Sequence, residues 1–311
     1  QGLSELKQRL LKNNFGPESV DASSPRQNFA SCQVLVVATP ELELGAETAA
    51  RIQSYVQGAG SAVLLLAPTL GESREVRPSG LEPVLALAGI TLGRDVVLEQ
   101  AEEQRLPRGS GELFFAQLRA HPVTRGILHE DDKLSSRVLV VQARSLKVDD
   151  GATLLLTSSE QAVALRDLGA LADDSVKAAG ESERRSFGLA AARELPKPAG
   201  SQAAHGARLF VSGASNLAWN RNFQDPALYG NRRLIENAIS WAAARPTMIS
   251  VPEKAERELG LSLSEESLNE VLRYVLFYMP AAAGLIAAFV LLRRRSSERR
   301  TQGGDEARKS S

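Results

Sequence analysis

The chain has a single cysteine, Cys32, among its 311 residues. An intramolecular disulfide framework and a thiolate zinc site are therefore excluded. Histidine is nearly as scarce, with only His121, His129 and His205, no two of them at ligand spacing and no HExxH. No metal site and no cofactor are expected. A GxxxxGK[ST] stretch is missing, so ATP is not bound through a P-loop. Gly58-Ala59-Gly60 closes a helical pattern instead of opening one after a strand, so it is not a dinucleotide fingerprint. Charge of one sign is also lacking, because 37 basic residues balance 37 acidic ones. No global basic field points to nucleic acid. A hydrophobic content of 43% with 24% charged residues is ordinary globular chemistry, sufficient for a core without disulfides.

What is present in quantity is one apolar run near the C-terminus. Val275 through Leu292 carries no charge over eighteen residues and is followed at once by Arg293-Arg294-Arg295. At about 1.5 Å per residue, such a helix nearly matches a hydrocarbon core of about 30 Å. Tyr274 and Tyr278 lie at one end, where amphipathic rings favour the headgroup level. Arg299, Arg300 and Arg308 extend the basic end, so the tail is expected inside and everything before Val271 outside. A buried core helix is the alternative. Three arginines directly after the run would sit badly in a core, and a spanning helix tolerates Pro280 and Gly284 better. Ala281, Ala282, Ala283 and Gly284 would permit close packing against a neighbouring helix. The first fourteen residues have no signal-peptide core, so delivery of the domain is expected to depend on an upstream segment.

Along the rest of the chain, Leu3, Leu6 and Leu10 share a face of a short amphipathic helix that Asn13, Asn14 and Gly16-Pro17 stop. Residues 1–29 form this helix and a connection. Residues 30–245 read as one α/β domain. Gln33–Pro40 and Ala62–Ala67 are continuous apolar runs suited to strands covered on both faces, with a helix over Glu47–Gln57 between them. Strand, helix and strand make a βαβ unit with parallel strands. Further strands are expected at Asp95–Glu99, Arg137–Gln142, Ala152–Thr157, Phe187–Arg193 and Ala207–Gly213, with helices at Leu81–Gly89, Glu112–Arg119 and Arg232–Ala244. Their alternation predicts an open, mostly parallel sheet flanked by helices. The acidic stretch from Leu168 to Glu183 reads as a loop. Residues 246–270 would be a stem, 271–293 the membrane helix and 294–311 a basic cytoplasmic tail.

The best site-like segment is Val211–Asn220, which leaves a strand at the carboxyl edge where open α/β sheets bind ligands. Ser212, Ser215 and Asn216 could bind a ligand or partner there, or the small residues simply make a tight turn. Asn231 and Arg232, near Tyr229-Gly230, could hold an anionic group or cap the helix that follows. Cys32 precedes a strand and lacks the strand–turn–helix elbow of an exposed nucleophile, so a structural cysteine is the plainer reading. His129 beside Glu130-Asp131-Asp132 is a solvated loop unless a metal gathers it. No catalytic residue is nominated.

Several blocks together carry a family resemblance. They are Val34–Pro40, Gln53–Pro68, Gly80–Leu98, His121–Thr124, Arg208–Asn216 and Gly230–Trp241, then the stem and the apolar run. In this order the chain resembles the auxiliary proteins of ABC-2-type transport systems, the gliding-motility GldG-like family. It departs from that family in reading Ser212-Gly213-Ala214-Ser215-Asn216 where an acidic residue is common. The resemblance implies a non-catalytic domain similar in fold to class I glutamine amidotransferases, outside the bacterial inner membrane. It also implies an ABC-2 permease subunit as partner, with a separate ATPase, and an additional N-terminal membrane helix. A membrane-anchored amidotransferase- or hydrolase-like enzyme and an envelope- or carbohydrate-binding module remain alternatives.

Overall fold

A computed structural model describes residues 2–22, 24, 29–38, 40–71, 75–107, 109–127, 137–166, 184–214, 216–245 and 272–289. The chain divides into two units, Gln1–Ile249 and Ser250–Ser311. In the first, β1 (Val34–Ala38), α2 (Ala46–Gln57) and β2 (Ser61–Leu65) form the expected βαβ unit, and β1 pairs parallel with β2. Every residue of β2 is buried. Its alternate side chains serve two cores. Val63 and Leu65 face a core shared with α5 (Tyr229–Ala242), which follows the short α4 (Arg221–Gln224), whereas Ala62 and Leu64 face one shared with α2 and α3 (Glu82–Leu87). β11 (Arg208–Ser212) pairs parallel with β2 and divides in the same way, Phe210 to one side and Leu209 and Val211 to the other. Helices on both faces of a doubly buried centre make a three-layer α/β/α arrangement.

The rest of the sheet corrects the expectation of mostly parallel strands. Its order is β1-β2-β11-β10-β8-β5-β6, with β7 also on β10 and β3 on β7. Here β3 is Ile90–Leu92, β5 Leu113–Leu118, β6 Val138–Val141, β7 Leu146–Val148, β8 Thr153–Thr157 and β10 Gly188–Glu194. Every pairing among these strands and onto β11 is antiparallel. Parallel neighbours need a long crossover, usually a helix, and among the described residues none falls between β3 and β10. Two short strands, β4 (Val96–Leu98) and β9 (Val163–Leu165), pair separately. The segment Glu112–Arg119, expected as a helix, is the strand β5, because Phe114 and Ala116 alternate inward between β6 and β8.

The N-terminal helix α1 (Ser4–Lys12) buries Leu6 and Leu10 in the α5-side core, while Leu3 stays exposed. Arg9 Nε meets Glu236 of α5 at 2.7 Å, and Asn220 Oδ1 accepts from the Glu5 amide at 3.0 Å. Residues 1–29 therefore include a helix that packs as part of the α/β unit. The loop expected at 168–183, the stem at 246–270, His129 and the tail at 294–311 lie outside the described residues.

Among the described residues no helix is long and apolar enough to cross a membrane. Of the span expected over 271–293, residues 272–289 are described and helical, with a π-helical turn at Tyr274–Tyr278 interrupting the α-helical ladder. Val290–Leu292 lie outside the described residues.

After β5 the chain turns at His121, whose ring Nδ1 accepts the Val123 amide at 3.2 Å and caps the short 3₁₀ turn Pro122–Thr124. The ring stands edge-on to Trp241 of α5, 5.3 Å between centroids. Burial holds the imidazole below its ordinary pKa. The neutral form is favoured on folding, so its stabilisation is present above about pH 6.5 and lost as pH falls through that value toward the folded pKa. Denaturant titrations at pH 7.5 and 5.5 should show lower stability at the acid end. His121→Asn, which keeps an acceptor but does not titrate, should flatten that difference.

Candidate functional site

The carboxyl ends of β2 and β11 converge where the strand order turns from parallel to antiparallel. Ser212 is fully buried there. Its hydroxyl accepts the Ala214 amide at 3.1 Å and donates to the Leu189 carbonyl at 3.4 Å. Its carbonyl accepts from Leu66 at 2.7 Å. Gly213 donates to Leu189 and accepts from the Arg144 amide at 3.1 Å. A Cβ at Gly213 would lie 2.2 Å from the Arg144 carbonyl oxygen and 3.0 Å from its Cγ. Glycine is needed for that approach. Sequence reasoning did not single out Arg144, which follows β6 with no flanking motif.

Arg144 is 1% exposed. Its Nε donates to the Gly93 carbonyl at 2.8 Å, while Nη1 is buried with no hydrogen-bond partner among the described residues. Burial pulls the guanidinium below its ordinary pKa; Glu82 and Asp95 oppose that shift and Arg94 adds to it. Glu82 itself is held below the usual carboxylate range. Its burial acts the other way, but donors from Ser79 and neighbouring backbone outweigh it together, the Ser79 amide at 2.8 Å and hydroxyl at 3.0 Å among them. The edge that was expected to be a ligand crevice is occupied by an arginine side chain.

Asn216, Asn231 and Arg232 have structural partners. Among the described residues β6 pairs only with β5, so its far edge carries backbone groups without a strand. Asn231 supplies them: Oδ1 accepts from Leu139 N at 2.8 Å, and Nδ2 donates to Leu139 O at 2.7 Å. Asn216 does the same one step along, accepting from Val141 N at 3.0 Å and donating to Leu139 O at 2.8 Å. Gly230 permits this contact, because a Cβ there would lie 2.2 Å from the Arg137 carbonyl oxygen. Both asparagines are buried and stand in for a missing strand. Arg232 places its guanidinium over the Tyr229 ring of its own helix at 4.9 Å. Ser215 lies outside the described residues.

At the opposite, amino-terminal edge of β1 and β2 a cavity of about 780 Å³ is lined by Cys32, Arg51, Tyr55 and His205, among others. The Tyr55 hydroxyl lies 3.1 Å from both the Cys32 and Ser61 carbonyls. Burial, then the nearby Cys32, raises its pKa, so the phenol stays protonated and donates. His205 Nδ1 is 2.9 Å from the Gly206 carbonyl. Cys32 and His205 share the cavity, and no hydrogen bond joins them among the described residues.

If Asn231 closes the β6 edge, Asn231→Leu should cost about 2 kcal/mol or more in denaturant unfolding, by stranding the Leu139 amide. Asn231→Asp should be at least as damaging, since a carboxylate would face the Leu139 carbonyl with no proton to donate.

No family model and no curated protein matches the sequence. Among solved structures, the chain is similar to the mmIFT52 N-terminal domain, with a TM-score of 0.50 and 14% identity over 78% of this chain and 90% of that one. A ThuA-like protein from Parabacteroides merdae aligns at a TM-score of 0.39 and 18% identity, over 80% of this chain and 87% of that one. That second superposition is too loose to bear on fold or function. The first is a likeness of fold alone: a mixed α/β domain whose open sheet is flanked by helices.

Proposed function

We propose that the chain is a non-catalytic, membrane-anchored accessory subunit of an ABC-2-type transporter, with its α/β domain outside the cytoplasm binding a partner or substrate. The finer likeness to class I glutamine amidotransferases belongs to the same proposal, supported by the parallel β1-β2-β11 order. The observation that carries the reading is the C-terminal helix. Residues 272–289 contain one charge, Arg273, and apolar side chains are exposed around the whole helix, from Phe277 at 69% to Met279 at 71% and Leu285 at 72%. A helix that is apolar all round needs lipid or protein around it. The apolar sequence continues through Leu292 to three arginines, which orients the tail to the cytoplasm.

The carboxyl edge supports the non-catalytic part, since Ser212 and Asn216 are engaged with backbone groups there. The shared cavity of Cys32 and His205 favours a thiol enzyme as the second reading. Unchanged function of a Cys32→Ala variant would remove it.

Affinity capture of the full chain from a detergent extract should recover a polytopic permease and an ATPase. Recovery of neither would overturn the transporter reading. Packing of the small residues can be tested within the same experiment. A Cβ added at Gly284 meets nothing within 4 Å in this chain, so Ala283→Leu with Gly284→Leu probes an external contact and not the helix itself. The double variant should recover markedly less permease, and full recovery would sink the docking role of residues 281–284.

A further inference from the structure

Beside the β3–β7 pair a cleft of about 580 Å³ is lined by Arg94, Lys147, Arg166 and Arg185, with Asp95 and Ser145 in its floor. All four cationic side chains are exposed, and none makes an ion pair among the described residues. The one carboxylate of the lining is already engaged. Asp95 Oδ1 accepts the Ser145 amide at 2.9 Å and Oδ2 the Ser145 hydroxyl at 2.8 Å. A Cβ at Gly93 would lie 2.2 Å from the Ser145 hydroxyl oxygen, so the floor is tightly knit. Nearby, Glu160 accepts the Ser186 amide at 3.1 Å.

A fifth cation lies behind this floor. Arg144 reaches the Gly93 carbonyl through Nε and leaves Nη1 buried, with no hydrogen-bond partner among the described residues. Arg185 is held over the Phe187 ring at 4.9 Å, which limits its freedom before any ligand arrives. In a chain with equal numbers of acids and bases, this concentration of unpaired positive charge calls for a counter-anion. Guanidinium forks with an ammonium group match phosphate oxygens. The volume falls in the range of small-molecule pockets and exceeds a single inorganic phosphate, so an organic body should accompany the anion.

We propose that this cleft binds a phosphate-bearing ligand, with Arg94, Lys147, Arg166 and Arg185 as its counter-charges. The phosphate belongs to a lipid headgroup or to a soluble phosphate ester. The assignment stands apart from the transporter reading and survives its failure.

The test is calorimetric titration of the full chain in detergent with inorganic pyrophosphate. Native protein should bind it, and Lys147→Ala with Arg185→Ala should weaken binding by about tenfold per charge removed. Lys12→Ala, on α1 away from the cleft, should leave the affinity unchanged. Absence of binding to the native chain, or equal affinity in the double variant, would overturn the proposal. Thermal melting checks folding, and Arg94→Gln with Arg166→Gln repeats the measurement should the first pair lower the melting temperature. Displacement of pyrophosphate by phosphatidylglycerol vesicles assigns a lipid headgroup. Displacement by glycerol 3-phosphate but not by those vesicles assigns a soluble ester.

Discussion

The fold depends on burying both faces of two neighbouring strands. β2 and β11 run parallel, and Leu64 and Val211 lie on one side of the sheet while Leu65 and Phe210 lie on the other, all at 0% exposure. Strands with no polar face cannot sit at a solvated surface, so each side must be roofed. α2 and α3 cover one side, and α5 with α1 covers the other. Full burial of a leucine is worth about 1.5–3 kcal/mol, and α1 buries two. The Arg9–Glu236 ion pair, with Arg9 partly exposed, is worth about 1 kcal/mol or less. Packing therefore holds α1 in place, and the ion pair sets its register on α5.

The antiparallel half of the sheet raises a different problem, because among the described residues it ends at β6 with no further strand. An unpaired buried amide or carbonyl costs about 1–3 kcal/mol, comparable to a whole leucine. Two carboxamides meet the requirement, since each carries both a donor and an acceptor in the spacing of a peptide group. Both come from the chain segment that follows β11, so the parallel centre and the antiparallel edge are closed by the same residues. This coupling explains why the stretch from Arg208 to Trp241 carries two buried asparagines whose partners lie in β6.

Legibility in the sequence followed the range of the interactions. β1, α2 and β2 could be read because a doubly buried strand is a continuous apolar run and Gly58 marks the helix end. α5 could be read from Leu234, Ile235, Ala238 and Ile239 at helical spacing. β5 was misread as a helix because Leu113–Leu118 is short and its identity is decided by pairing with β6 and β8, not by local propensity. The mostly parallel sheet failed for the same reason: strand direction is set by partners far along the chain. Asn216 and Asn231 were noticed as polar residues near a sheet edge, but their partners lie 75 to 92 residues away. From sequence, an amide that closes an edge and one that holds a ligand look alike.

Arg144 shows how a fold can retain its architecture while its customary ligand position is filled. Its side chain lies over Gly213 at the carboxyl edge of β11, where a bound molecule would otherwise meet the backbone. A buried guanidinium with a single hydrogen bond among the described residues is costly, and the cost falls only if negative charge stands near. Glu82 and Asp95 provide it, yet Glu82 is held by Ser79 and Asp95 by Ser145, and among the described residues neither forms an ion pair with Arg144. The edge is consequently closed by packing but left electropositive. Field from a charge in a poorly polarisable interior is weakly screened, and Arg144 Nε is bonded to the carbonyl of Gly93, a residue that lines the adjoining cleft. Filling the crevice with Arg144 thus adds a buried positive charge beside the cleft that Arg94, Lys147, Arg166 and Arg185 line, where the proposed phosphate would meet it.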